Sequence, residues 1–249
     1  KLPYVINNTM MRVDLPTVLA PGQSVKFYIA WSYLVNDRMK VGGRSGYEHF
    51  KDEYNTLYTI AQFFPRMAVY GDNVGWQHKQ FLGQGEFTLP FGDYKVAITV
   101  PSDHLVAATG TLTNEASVLT ASQRQRLAEA RKSTDKPVII ATESEARERE
   151  KTKATSTKTW VFTAKNVRDF AFASSRKFIW DAMQVDVEGK KVWAMSYYSK
   201  EGNPLWGKYS TMVVAHTLRS YSKRTVAYPY PVAISCHATA GGGMEYPMI

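Results

Sequence analysis

The chain has 249 residues, 44% of them hydrophobic and 21% charged, which excludes a disordered polypeptide and leaves room for one large domain or two ordinary ones. Its net charge of +9 does not point to nucleic acid, because Lys and Arg are scattered, the densest charged tract (Glu143 to Lys153) alternates in sign, and no recognition-helix, zinc-finger or single-strand-binding signature occurs. No apolar run approaches the roughly 20 residues that span a bilayer, so no transmembrane segment is expected.

The first part of the chain reads as β, in keeping with 15 Tyr, 11 Phe and 6 Trp, whose flat rings pack well on pleated surfaces. Between Val25 and Tyr33 every odd position is large and apolar or aromatic, which predicts a strand with one buried face, entered through the Pro21-Gly22 turn. Tyr94, Val96, Ile98 and Val100 repeat that period, with Pro101 closing the strand. Short strands between Gly, Pro, Asn and Asp predict an antiparallel sandwich or a large curved sheet.

Residues 114 to 157 break the pattern. Thr120 and Gln123 fit a capping box ahead of a helix from Arg124 to Lys132, Pro137-Val-Ile-Ile is a short strand, and Glu143 to Lys153 is a polar helix. The segment reads as a solvated helical insertion. Strands resume at Thr159–Thr163 and Phe170–Phe172, and a turn at Glu188-Gly189 leads into Val192–Tyr198, with Trp193, Met195 and Tyr197 on one face. After Asn203-Pro204 the period becomes helical, and Leu205, Tyr209, Met212, Val213, His216 and Ser220 form one stripe, expected to be buried with His216 as a core histidine. A strand at Pro231–His237 follows. The domains expected are therefore 1–188, mainly β with the helical insertion, and an α+β segment over 189–249.

Familiar catalytic signatures are missing. No H-E-x-x-H occurs, and His49, His78, His104, His216 and His237 have no ligand-like partner at helical spacing. His49 sits among Glu48, Asp52 and Glu53 in what reads as a surface charge cluster. Gly43-Arg-Ser-Gly46 reads as a turn and not a nucleophile elbow, and Gly83-Gln-Gly85 opens a strand, so it lacks the helix N-terminus that phosphate binding needs. Cys236 is expected to be a buried structural thiol, since it and His237 point to opposite faces of a strand. The aromatic tract from Phe63 to Phe81 is expected to pack in a sheet, with a sugar- or peptide-binding platform as the alternative.

The ending, Gly241-Gly-Gly-Met-Glu-Tyr-Pro-Met-Ile249, carries more chemistry. Three glycines let a ligand approach the backbone closely, Glu245 offers a carboxylate, and the apolar flanks are too stiff for a linker. The stretch resembles the G-x-M-E-N exopeptidase signature of the aminopeptidase N family of zinc peptidases, with Tyr246 in place of the asparagine. Phe64-Pro-Arg-Met-Ala-Val-Tyr-Gly-Asp, Gly75-Trp76, Gly83-Gln-Gly-Glu-Phe and Asp93-Tyr-Lys-Val-Ala-Ile-Thr-Val-Pro are similar to the N-terminal β-domain of bacterial members.

The resemblance implies an N-terminal β-domain followed by the start of a thermolysin-like domain, with the sequence ending before the zinc motif. Gly241, Gly242 and Gly243 would lie along an extended peptide, Met244 would support the loop, and Glu245 would bind the free α-ammonium, with Gln62 reaching the first substrate pocket. Zinc is the cofactor implied for the parent enzyme, with no metal ligand and no catalytic group in these residues, so neither hydrolysis nor stoichiometric zinc is expected of this chain alone. An exported, periplasmic parent is the expectation, with a cytoplasmic one as alternative. The rival function is a self-contained β-sandwich module that binds peptide or glycan, and a third possibility is an inactive family member.

Overall fold

The computed structural model describes residues 2–51, 54–83, 88–238 and 243–249. In chain order the first elements are β1 (Tyr4–Asn7), β2 (Met10–Val13), α1 (Arg38–Val41), β3 (Gly46–Phe50), β4 (Asn55–Ile60), β5 (Tyr70–Gly71) and β6 (Gly75–Trp76). Next come β7 (Gly92–Pro101), β8 (Leu105–Ala108), β9 (Thr111–Leu112), α2 (Glu115–Val118), α3 (Ala121–Ala130), β10 (Val138–Ala141) and α4 (Glu143–Thr152). The last are β11 (Thr157–Val167), β12 (Phe172–Ser175), β13 (Ile179–Val187), β14 (Lys190–Tyr198), a 3-10 turn (Lys200–Gly202), α5 (Leu205–Arg224) and β15 (Val232–Cys236).

Strand outweighs helix, 34% to 21%, so the fold is mainly β, built from several sheets, none of which closes into a barrel among the described residues. No helix among the described residues is long and apolar enough to cross a membrane. The chain divides into two units, residues 1–34 with 64–90, and residues 35–63 with 91–249. The first contains two hairpins, β1–β2 and β5–β6. The expected strand at Val25–Tyr33 is not formed there, and Phe27, Tyr28, Trp31 and Tyr33 are exposed. Alternation marks a face, but a strand also needs a partner, and the described residues supply no ladder for this segment.

The second unit contains three sheets, ordered β3-β4-β12-β8, β7-β11-β9 and β10-β13-β14-β15. In the second sheet, β7 keeps the expected alternation, with Ile98 buried and Lys95, Ala97 and Thr99 outward, and it pairs with β11 from Thr157↔Pro101 onward. The third sheet positions the site. Its strands β13 and β14 pair from Ile179↔Tyr198 to Val187↔Lys190 around Glu188-Gly189, while β15 runs parallel to β14. Both faces of β14 are covered. Trp193, Met195 and Tyr197 line a small void of about 40 Å³ shared with Leu112 and Phe162 of the β7-β11-β9 sheet. Val192 and Ala194, with Met183, Val185 and Val187 of β13, pack under Ala215 and Leu218 of α5.

Helix α3 starts at the expected capping box of Thr120 and Gln123, and α4 has a second one at Thr142 and Glu145. The insertion over residues 114 to 157 is more than a solvated excursion. Its strand β10 pairs with β13, and Arg149 of α4 donates to the carbonyls of Arg176 and Phe178. Glu150 is buried against Lys177 and Lys200, at 3.1 and 2.6 Å.

The α5 stripe is reversed from expectation. Leu205 and Val213 are 65% and 59% exposed, and His216 is exposed with its Nε2 3.2 Å from Ser220 Oγ. The buried face is Thr211, Ala215, Leu218 and Ser222. The cause lies beneath the helix, where buried Asp181 needs hydroxyl donors that the large apolar side chains cannot provide.

Candidate functional site: a cleft along the edge of the mixed sheet

Strand β15 forms one edge of its sheet, and the C-terminal segment folds back beside it. The Ile234 N–H donates to the Met248 carbonyl at 2.8 Å. Thr109, fully buried at the end of β8, donates its hydroxyl to the Pro247 carbonyl at 2.9 Å and accepts from Ala171 N–H at 3.1 Å. Tyr246 and Ile249 close a turn by bonding each other's backbone, and the Met248 side chain is buried. These bonds join the segment to two different sheets.

Between this segment, β15 and the β4–β12 pair lies a cleft of about 550 Å³, within the range of small-ligand sites. One wall is Ala233, Ile234, Ser235 and Cys236 of β15, followed by Ala238, and another is Thr59, Ala171, Phe172 and Ala173. Trp206 and Tyr228 flank the α5 side, and Gly243, Met244, Glu245, Tyr246, Met248 and Ile249 complete the lining. Glu245 is exposed at this cleft and is the one acidic side chain among the described lining residues, which include no Lys, Arg or His. Such a lining suits a cation with an apolar substituent. Burial pushes the Cys236 thiol up to about 12 and raises the Tyr228 hydroxyl, which donates to the Val232 carbonyl at 3.0 Å. Neither group therefore ionises near neutrality.

Gly243, Met244 and Glu245 meet at this cleft, while Gly241 and Gly242 lie outside the described residues. At Gly243, φ is +101°, and an added Cβ would stand 2.9 Å from Glu245 Oε1, so glycine there leaves room for the carboxylate. Gln62 is exposed just past the end of β4, with φ +53°, and does not line the cleft. Sequence reasoning missed Thr59, Thr109, Trp206 and Ala171–Ala173, whose only signal is small or flat residues far apart in the chain.

Elsewhere, His49 is exposed with Nδ1 3.2 Å from Thr56 Oγ1, and Asp52 and Glu53 lie outside the described residues. Ser45 Oγ accepts from the Ala61 N–H, in a turn. Gly83 belongs to the first unit, and Gln84 and Gly85 lie outside the described residues. Of the aromatic tract, Tyr70 and Trp76 are exposed, edge to face at 5.3 Å, in the first unit.

Among the described residues no three His, Cys, Asp or Glu side chains gather as a metal site would need. No protein-family model and no curated protein matches the chain.

Proposed function

We propose that this chain is the substrate-holding part of a zinc-dependent aminopeptidase of the aminopeptidase N type, in which it comprises the N-terminal β-domain and the opening of a thermolysin-like domain. Its own task is to hold a peptide by the free amino end. The single observation that carries this reading is Glu245, the one acidic side chain among the described residues of a cleft otherwise lined by apolar and uncharged side chains. A primary ammonium beside Glu245 would gain a charge-assisted hydrogen bond, while the first side chain of the peptide would meet Trp206, Phe172 and Ile234. An acylated amine lacks the positive charge and cannot form that ion pair, which is the basis for selecting N-termini. In the proposed parent, bond cleavage belongs to groups outside these 249 residues.

Titration of the chain with L-leucinamide and with N-acetyl-L-leucinamide, followed by NMR, tests the reading. The free amine is expected to shift the Ile234, Ala173 and Trp206 signals and to bind roughly two- to fivefold more tightly, as for one solvent-exposed ion pair. Glu245→Gln should remove that preference. Equal binding of the two ligands, or a preference untouched by Glu245→Gln, would overturn it.

A further inference from the structure

A line of polar groups runs from a buried lysine to the wall of this cleft. Lys177 is fully buried, its ammonium 2.8 Å from Glu201 and 3.1 Å from Glu150, with the Phe50 ring centre at 4.5 Å. Glu201 also accepts from the Ser199 hydroxyl; burial works against its carboxylate, but the bonds from Lys177 and Ser199 outweigh that and lower its pKa. Ser199 Oγ is in turn 3.0 Å from His237 Nδ1.

Proton counting decides the direction of this last bond. A carboxylate only accepts, so the single Ser199 proton belongs to Glu201. His237 must then donate Nδ1–H, which leaves Nε2 unprotonated in the neutral ring. Burial lowers the pKa of His237, with Glu201 opposing it and Lys177 reinforcing it, so the neutral ring is the form present at neutral pH. The His237 backbone N–H donates to the Tyr197 carbonyl at 2.8 Å, and its ring centre is 5.9 Å from that of Trp206. Cys236 and Ala238 on either side, and Trp206 itself, line the cleft.

We propose that His237 is a positioning residue for the amine-binding cleft, held as its Nδ1–H tautomer by the line Glu201–Ser199–His237 so that the end of β15 stays registered against Trp206. Its role in binding rests on the functional reading above, whereas the tautomer does not.

Long-range proton–nitrogen NMR of the whole chain, labelled at histidine, reads the tautomer directly. The expected spectrum at neutral pH has His237 protonated at Nδ1 and bare at Nε2. Ser199→Ala should mix the two tautomers and weaken L-leucinamide binding roughly three- to tenfold, the worth of one net hydrogen bond. An Nε2–H spectrum in the wild type, or Ser199→Ala leaving tautomer and affinity unchanged, would overturn the proposal. Failure of the wild type to bind L-leucinamide would instead remove the functional reading and with it the role in binding, while the tautomer would still stand or fall on the spectrum.

Discussion

Thr211 on α5 donates its hydroxyl proton to Asp181 on β13, and that bond decides which way the helix faces. Tyr198 donates to the other carboxylate oxygen at 3.0 Å, and Ser196 Oγ lies 2.7 Å from the Thr211 hydroxyl, so the layer between sheet and helix is polar at its centre. The small side chains Ala194 and Ala215 pack nearby in the same interface.

Asp181 has no cationic partner among the described residues. Burial raises its carboxyl to about 6, against the opposing pull of the Thr211 and Tyr198 hydrogen bonds. Between about pH 4, where an unfolded aspartate titrates, and about pH 6, the folded chain holds a proton that the unfolded chain has lost. Stability from this group is therefore greatest below pH 4 and falls as pH rises to 6, by roughly 2–3 kcal/mol. Asp181→Asn should flatten that slope in urea titrations across the window and leave the pH 7 stability equal to or above that of the wild type. An unchanged slope would remove Asp181 as its source.

The reversed stripe on α5 predicts opposite outcomes for two apolar positions. Val213→Asp, on the exposed face, should alter the unfolding free energy of this chain by no more than about 0.5 kcal/mol. Leu218→Ala, on the buried face, should lower it by about 2–5 kcal/mol. Denaturant unfolding of both variants checks the rotation, and the reverse ranking would show the helix turned the other way.

Lys177 joins the charged segment to the turn ahead of α5 through Glu150 and Glu201. Lys177→Met leaves Glu150 buried with Lys200 as its remaining cation, and should destabilise the chain by about 3–5 kcal/mol at pH 7. Lys177→Met combined with Glu150→Leu should recover part of that loss, since the desolvation cost of those two charges is removed with them. A double-mutant cycle by thermal unfolding measures the coupling.

Thr109 ties the C-terminal segment to β8. Thr109→Val keeps the shape but strands the Pro247 carbonyl and the Ala171 N–H, and should lower stability by about 1–3 kcal/mol. Amide exchange should speed up most at Ile234, whose N–H is held by the Met248 carbonyl of that same segment. If exchange at Ile234 does not change, Thr109 does not anchor the segment.

Local pattern determined a good deal of this protein on its own. The alternation of β7, the capping box of α3, the start of α5 and the Glu188-Gly189 turn are legible because a period, a cap or a turn involves only residues near in sequence. Glu245 was also legible as a carboxylate beside glycines, since residue type and spacing carry that signal. Only the tertiary structure decided which face of α5 is buried, because the choice depends on Asp181, thirty residues before its partner Thr211. The same holds for the cleft, where Thr59, Ala173 and Trp206 converge from separate elements. Val25–Tyr33 shows the converse: its alternation is clear, yet without a neighbouring ladder among the described residues to satisfy its backbone it does not become a strand.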